Sequence, residues 1–252
     1  MNTGKNIYFA SDLHLGVDGT TSSLERERAF VRWLDEVGRD AEEIHLVGDV
    51  FDFWFEYSKA VPKGFVRTLG KLAELCDRGI PVYMYLGNHD MWLFDYLPEE
   101  IGVQIVDGPV IRNFGDKKFY IAHGDGLGPG DHGYKFIKSV FRNKVCQWLF
   151  ARIHPNLGIR IAQYFSQRSR AAESEEYLAF LGEEKEWLII HSNEILEQDA
   201  SIDYFIYGHR HLPMQIDLAQ GATCINLGDW ISHFTYAVFN GEETQLLTYD
   251  RK

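Results

Sequence analysis

The chain contains five short apolar runs, and each of them ends in polar residues of the kinds that bind metals. The first covers residues 7–16, with the sequence IYFASDLHLG, and the others end near residues 50, 90, 125 and 211. Short apolar runs bounded by turn residues are typical of buried β-strands. Residues 24–37 and 65–78 carry apolar side chains at helical spacing, and Ser22 or Ser23 can cap the first helix. This alternation predicts a layered α/β sandwich.

The second half of the chain shows a different pattern. Apolar and aromatic residues recur at helical spacing from residue 136 to 149, with basic residues between them. Pro155 and Gly158 are expected to divide this region into two helices, and an acidic helix is expected at residues 173–198. Strands are predicted at residues 214–218, 222–227, 234–239 and 244–249, as the second sheet of the sandwich. Asn240-Gly241 predicts a hairpin between the last two.

The ends of the predicted strands carry the candidate chemistry. Asp12 and His14 are two residues apart, so on an extended backbone both side chains point to one side and can reach one cation. Oxygen and nitrogen ligands with almost no sulfur favour a hard or borderline divalent cation, such as manganese, over a thiolate zinc site. The candidate residues at the five ends are Asp12, His14, Asp49, Asp52, Asn88, His89, Asp90, His123, His209 and His211.

Charge is unevenly distributed along the chain. The formal net charge of −12 argues against general nucleic-acid binding, yet residues 132–170 contain eight Lys or Arg and no Asp or Glu. One interpretation is a packed helical insert with solvated lysines. The other is a lid that holds an acylated, phosphorylated substrate and contacts an anionic membrane surface. The absence of acidic residues favours the second.

Two further features have a bearing on compartment and on the site. The three cysteines are odd in number and widely spaced, which favours reduced thiols, and residues 1–12 lack the apolar core of a signal peptide. We therefore expect a cytoplasmic protein.

Residues 51–57, FDFWFEY, form an aromatic loop that either packs beneath the site or lines an apolar ligand groove.

The motifs D-x-H, G-D-x-x-D, G-N-H-D, H-G-D and G-H-x-H, in this order, resemble those of the calcineurin-like metallophosphoesterases. The resemblance implies a four-layer α/β/β/α sandwich, with a core of residues 1–130 and 199–252 and a helical insertion, or lid, of residues 131–198. It implies one cation held by Asp12, His14 and His211, a second held by Asn88, His123 and His209, and Asp49 as the bridge between them. It further places His89 near the leaving or non-bridging oxygen, with Asp90 orienting it.

The sequences GDVFDFWFEY and HGDGLGPGDHGYKF, together with the basic helices, are similar to the UDP-2,3-diacylglucosamine diphosphatases of lipid A synthesis. These enzymes use Mn²⁺, and the hydroxide between their two metals attacks the α-phosphorus. They release UMP and 2,3-diacylglucosamine 1-phosphate. The similarity implies two Mn²⁺ ions or other divalent cations, and a cytoplasmic protein peripherally associated with the inner membrane. The expected substrate contacts are Asp131, Tyr134, Lys138, Arg142, Arg168, Ser169 and Arg170.

The sequence departs from the best-known branch of that family in two places. His89 stands where that branch commonly carries Arg, and Glu173 and Glu176 stand where an Asn and a Lys are expected. Two other interpretations therefore stay open. The protein could hydrolyse a small soluble phosphoester, with the insertion as a dimer face, or it could be a metal-binding scaffold without turnover. The oligomeric state is open as well.

Overall fold

Two β-sheets packed face to face form the centre of the molecule. The structure is a computed structural model, and it describes residues 5–128, 132–171 and 179–251. The side chains of residues 132–134 and 167–171 lie outside this description. The described strands are β1 Asn6–Ala10, β2 Ala41–Leu46, β3 Val82–Tyr85, β4 Gln104–Val106, β5 Val110–Phe114, β6 Lys117–Ala122, β7 Tyr204–Tyr207, β8 Met214–Asp217, β9 Thr223–Asn226, β10 Thr235–Phe239 and β11 Thr244–Thr248.

The first sheet has the strand order β11-β10-β1-β2-β3-β4, and the second has the order β5-β6-β7-β9-β8. Strands β1 to β4 are parallel, and so are β6, β7 and β9. Phe9, Phe119 and Ile206 belong to the apolar cluster between the sheets. The carboxyl ends of the parallel strands of both sheets lead into the candidate ligand loops, which is the usual place for a site in α/β folds.

Helices cover the outer faces of both sheets and complete the expected four-layer α/β/β/α sandwich. Helix α1 begins with a capping box in which Ser22 and Glu25 satisfy each other's backbone N–H groups. The described helices are α1 Ser23–Val37, α2 Val66–Asp77, α3 Tyr96–Ile101, α4 His132–Arg142, α5 Lys144–Phe150, α6 Pro155–Ala171 and α7 Trp187–Gln198, with a 3₁₀ turn at Ala219–Gly221.

The basic part of the insertion contains three described helices, α4 to α6, and not the two that were predicted. Helix α4 ends before Asn143. The side chain of Asn143 accepts hydrogen bonds from the N–H groups of Val145 and Cys146 and so caps a new helix. Pro155 starts α6, but Gly158 lies inside it. A Cβ on Gly158 would lie 2.6 Å from Tyr57 Oη, so the glycine allows close packing and does not end a helix.

The helix predicted at residues 173–198 begins only at Trp187 in the described part of the chain, and Glu173 and Glu176 lie outside the described residues. The residue before the helix, Glu186, is fully buried and forms an ion pair with Arg210. Gly182 has a φ of 93°, a left-handed backbone that a continuous helix cannot contain.

The four C-terminal strands do not form one sheet, so that part of the prediction is wrong. Strands β8 and β9 join the second sheet, whereas β10 pairs with β1 and β11 in the first. Both faces of β10 are apolar: Ala237 and Phe239 point between the sheets, and Tyr236 and Val238 pack toward the cluster beneath α1. A strand of that kind fits a position that is covered on both sides. The hairpin at Asn240-Gly241 is confirmed.

The aromatic loop serves two purposes. Phe51 and Trp54 are buried in the core beneath α1 and α2. Phe53 and Phe55, with Met91 and Trp92, form a separate cluster that we call the aromatic platform, and Phe150, Ile159 and Ala162 of the insertion pack on it. The Trp92 indole also donates a hydrogen bond of 2.8 Å to the carbonyl of Phe141. The platform therefore holds the insertion against the core. Among the described helices, none is both long enough and apolar enough to cross a bilayer.

Candidate dinuclear metal site

The candidate ligands lie together at the carboxyl ends of the parallel strands, in loops with an unusual backbone. Asp12, His14, Asp49, His209 and His211 all have positive φ, between 44° and 66°. This left-handed conformation is uncommon for residues other than glycine, although Asp and His adopt it more readily than most. It costs about 1 kcal/mol per residue and is found mainly at functional sites. The chain thus turns sharply at each strand end and directs these side chains inward.

One group of ligand atoms comes from β1 and from the loop after β7. The ligand atoms of Asp12, His14 and His211 all lie within 4.8 Å of one another. His211 Nε2 is 3.2 Å from Asp12 Oδ1 and 3.1 Å from His14 Nε2. Two imidazole nitrogens and a carboxylate oxygen therefore face a common point, as they do around a bound cation.

A second group forms beside it from β2, β3, β6 and β7. Asp49, His123 and His209 also bring their ligand atoms within 4.8 Å of one another. The Asn88 Oδ1 atom lies 3.2 Å from His123 Nε2, so the amide oxygen faces the same point. The structure thus brings together all seven of the expected metal-binding side chains in two adjoining groups.

Asp49 lies between the two groups. Its Oδ2 is 3.7 Å from His14 Nε2 on one side and 3.3 Å from His123 Nε2 on the other. Its Oδ1 accepts a hydrogen bond of 2.8 Å from the backbone N–H of His89, which fixes the carboxylate. This is the position that a bridging carboxylate needs, because a shared anion reduces the repulsion between two nearby cations.

The residues fit divalent cations by their chemistry as well as by their position. Asp12 Oδ1 is buried and accepts no hydrogen bond within the described part of the chain. A buried carboxylate oxygen that accepts no hydrogen bond is costly unless positive charge meets it. The whole group offers carboxylate, amide and imidazole atoms without a thiolate, a set that suits manganese and similar ions.

Electrostatics point the same way. Burial opposes ionisation of Asp12, but the adjacent imidazoles of His14 and His211 outweigh it and hold the pKa of Asp12 well below its usual range. Burial would lower the pKa of His14, yet the nearby Asp12, Asp52 and Asp49 carboxylates raise that pKa to about 10. The carboxylates therefore attract positive charge to this centre, either as protons on histidines or as metal ions.

Neighbouring oxygen atoms orient the ligand imidazoles. His123 Nδ1 lies 2.8 Å from the carbonyl of Val47, so its N–H donates there and Nε2 is left with its lone pair toward the site. His14 Nδ1 lies 3.5 Å from the Asp52 carboxylate, and His211 Nδ1 lies 3.9 Å from that of Asp229. In each case the second nitrogen faces the site.

Asp90 does not orient His89, so that prediction is wrong. Its carboxylate accepts hydrogen bonds from four backbone N–H groups on the ligand loops, those of Asp49, Val50, Phe51 and Gly87. Burial, followed by the charge of Asp49, raises the pKa of Asp90 to about 7, and the N–H donors oppose this shift. Asp90 therefore joins the loops after β2 and β3 and sets the position of Asp49.

His89 is held by other groups. Its Nδ1 lies 3.0 Å from the backbone carbonyl of Asp52 and 3.2 Å from the hydroxyl of Ser166. Burial lowers the pKa of His89. With Nδ1 engaged in this way, Nε2 is the nitrogen available to a bound phosphate. Asp52 lies among the histidines of the site, 3.5 Å from His14 Nδ1 and 3.6 Å from His89 Nδ1.

The expected substrate contacts are only partly placed. Lys138 pairs with Asp125 and Arg142 with Asp107, and Asp125, Lys138 and Arg142 lie beside His123. Lys138 and Arg142 also line a cavity of about 120 Å³ there. Asp131 and the side chains of Tyr134, Arg168, Ser169 and Arg170 lie outside the described residues.

Residues outside the ligand set also support the site, and the sequence predicts that one such stretch, residues 226–230, closes one side of it. Asp229 accepts hydrogen bonds from the N–H groups of Ile231, Ser232 and His233 and faces His211. The preceding Gly228 repeats the Gly-Asp pair of Gly48-Asp49. Arg26 contacts the His14 backbone and Ser166 contacts His89, so both support the site as well. Neither was predicted, because a buried Arg or Ser in a helix cannot be recognised from the sequence pattern.

The comparisons with known proteins agree with this geometry. Residues 5–213 match the calcineurin-like phosphoesterase family. The chain belongs to that family. Membership in the calcineurin-like phosphoesterases, together with the ligand groups, indicates a metal-dependent hydrolase with a dinuclear site for divalent cations.

Relatives that share one name align with this chain over most of its length. A protein of Porphyromonas gingivalis (strain W83), named UDP-2,3-diacylglucosamine hydrolase, is 36% identical over 246 residues, which cover 93% of this chain and 94% of the relative. A protein of the same name from Histophilus somni (strain 129Pt) is 26% identical over 90% of this chain and 92% of its own length. Among solved structures, the phosphoesterase Yfce from E. coli is 15% identical, with 97% of this chain and 100% of that chain covered and a TM-score of 0.46.

Proposed function

We propose that this calcineurin-like phosphoesterase hydrolyses UDP-2,3-diacylglucosamine to UMP and 2,3-diacylglucosamine 1-phosphate. Water adds to the α-phosphorus, and the bond from that phosphorus to the bridging oxygen of the diphosphate breaks. The relatives that carry this activity in their names align over about nine tenths of the chain, insertion included. An alignment limited to the core would support only the general chemistry.

The observation that carries the substrate class is the apolar surface of the insertion. Of 17 large apolar side chains that are exposed in the described residues, ten lie between residues 136 and 165. Contiguous exposed apolar surface on a soluble fold indicates a binding surface, and acyl chains need such a surface. The ten residues are Phe136, Ile137, Phe141, Val145, Trp148, Leu149, Leu157, Ile161, Tyr164 and Phe165.

We propose that two Mn²⁺ ions occupy the site, one held by Asp12, His14 and His211 and the other by Asn88, His123 and His209, with Asp49 shared. Bound divalent cations would neutralise the diphosphate and activate a water at neutral pH. Asp90 and the carbonyl of Val47 keep the ligands in place.

The remaining chemistry falls to His89. With Nδ1 directed at the carbonyl of Asp52, its Nε2 can exchange a proton with the leaving group or stabilise a non-bridging oxygen. Lys138 and Arg142 line the cavity beside His123, and we propose that they bind the far side of the diphosphate. Asp131, Tyr134, Arg168, Ser169 and Arg170 remain proposed substrate contacts by family resemblance.

We further propose that residues 131–198 act as the substrate-binding unit on a core of residues 1–130 and 199–252, and that they rest on an anionic membrane surface. Basic residues alternate with the exposed apolar side chains of α4 to α6, for example Lys144 and Arg152 beside Trp148. Apolar area combined with positive charge is what a peripheral protein needs for the cytoplasmic leaflet.

The test is an assay with synthetic UDP-2,3-diacylglucosamine and Mn²⁺, with UMP as the measured product. Asp49→Ala should abolish turnover and remove at least one metal, whereas the exposed Asp116→Ala should change neither. Turnover of bis(p-nitrophenyl) phosphate with no UMP release would favour a soluble phosphoester as substrate. Bound metal with no hydrolysis of either compound would favour a scaffold.

A further inference from the structure

Helix α6 of the insertion reaches the metal site through the hydroxyl group of Ser166. Ser166 is buried, and its Oγ lies 3.1 Å from Asp52 Oδ1 and 3.2 Å from His89 Nδ1. One hydroxyl can donate to the carboxylate and accept from the imidazole N–H at the same time. Ser166 therefore joins the two residues, although it comes from a different part of the chain.

The docking of α6 determines where this hydroxyl lies. Ile159, Ala162 and Ser166 follow one another at intervals of three and four residues, so they share one face of the helix. The first two pack against the aromatic platform, and the third continues the same face into the site. A shift of α6 on the platform would move the Ser166 hydroxyl away from His89.

We propose that Ser166 is a positioning residue that fixes the His89 imidazole while α6 is docked, and so couples the position of the insertion to turnover. This inference rests on the proposed role of His89 but not on the identity of the substrate. His89 Nδ1 has two acceptors, the Asp52 carbonyl at 3.0 Å and the Ser166 hydroxyl. Without Ser166, the ring keeps one acceptor and gains freedom to rotate. Its Nε2 then spends less time directed at the phosphate.

The experiment measures kcat and KM for bis(p-nitrophenyl) phosphate with the Mn²⁺-loaded full chain. This minimal diester has no sugar or acyl chain, so a lost substrate contact in the insertion cannot explain an effect on it. Ser166→Ala should lower kcat about tenfold, which corresponds to one hydrogen bond, with KM and metal content unchanged. Ser139→Ala is the matched control, because that exposed hydroxyl donates to the Phe136 carbonyl of its own helix.

A double-mutant cycle separates positioning from a general structural effect. In a His89→Ala background, Ser166→Ala should cause no further loss of kcat, because the group that it positions is absent. An equal loss in both backgrounds would overturn the proposal. A kcat of Ser166→Ala equal to that of the unmodified protein would also overturn it.

A crystal structure of Ser166→Ala supplies a readout that does not depend on turnover. The proposal expects the His89 ring to be rotated or to occupy more than one orientation. A ring in the same single orientation as in the unmodified protein would overturn it. If the unmodified protein released no UMP from UDP-2,3-diacylglucosamine, the proposed substrate would be refuted. The conclusion about Ser166 and His89 would be unaffected.

Discussion

Gly87 stands where the site has no room for a side chain, and Gly87→Ala therefore tests the central role of Asp49. A Cβ added at Gly87 would lie 2.1 Å from Asp49 Oδ1 and 2.5 Å from the Asp49 backbone nitrogen. Gly87 has a φ outside the left-handed region, so backbone conformation does not forbid alanine. The effect of the substitution must come from this contact.

The size of the effect follows from the distances. Ordinary contact begins at 3.4 Å, so Asp49 or the loop of Gly87 must move by about 1.3 Å. Overpacking of this kind costs roughly 1–3 kcal/mol of stability, which a folded domain usually tolerates. A displacement of about 1 Å at a reacting centre, however, can cost about 10²-fold in rate. We expect at least that loss in kcat, with weaker binding of both metals because Asp49 adjoins both groups.

The assay combines turnover with Mn²⁺ content, measured after gel filtration, and with the thermal midpoint. Gly70→Ala is the matched control, because Gly70 lies in α2 and a Cβ there would meet nothing within 4 Å. That substitution should leave activity unchanged and add about 0.5–1 kcal/mol of stability. If Gly87→Ala retained full activity and two metals per chain, Asp49 would not be confined as described, and its bridging role would fail.

Four other expectations concern the site and the core. Asp90→Asn should lower kcat at least tenfold and weaken metal binding, measured by isothermal titration, because an amide can accept fewer of the loop N–H bonds. Because the pKa of His14 rises to about 10, its contribution to stability is complete below about 6.5 and is lost as pH rises toward 10. The thermal midpoint of the protein, measured after a chelator has removed its metals, should therefore decrease as the pH is raised from 7 to 9. An increase would contradict this. Arg210→Met should lower the free energy of unfolding by about 3–5 kcal/mol in urea titrations, because it leaves Glu186 charged and buried, and adding Glu186→Gln should recover part of the loss. Burial raises the pKa of the Cys224 thiol to about 12, so iodoacetamide at pH 8 should label it only after unfolding.

The parts of the fold that depend on local pattern were predictable from the sequence. The strand that leads to Asp12 and the helix capped by Ser22 follow from apolar spacing and cap chemistry, which act over a few residues. The convergence of the ligands was predictable too, because the carboxyl ends of neighbouring parallel strands meet at one edge. Knowing that Asp12 and His211 both follow such strands was enough to place them together.

The features that were missed depend on contacts between distant parts of the chain. The sheet that β10 joins is set by its pairing with β1, more than two hundred residues earlier, and an apolar strand of this kind could join either sheet. Asp90 adjoins His89 in sequence, but the loop turns its carboxylate toward four backbone N–H groups instead. Ser166 is one serine of an amphipathic helix, and only the docking of that helix on the aromatic platform gives it a role.

The left-handed ligand residues also bear on how the site is assembled. Their conformation costs free energy, so it persists only where surrounding contacts enforce it. Arg26 supplies such contacts: its buried guanidinium donates hydrogen bonds to the carbonyls of Leu13 and His14 and to that of Thr21. Asp12 Oδ2 in turn accepts from the backbone N–H of His209 at 2.9 Å, which joins the first and last ligand loops. These contacts lie within the protein itself. The fold therefore supplies contacts that offset the cost of the left-handed conformation in the first and last ligand loops.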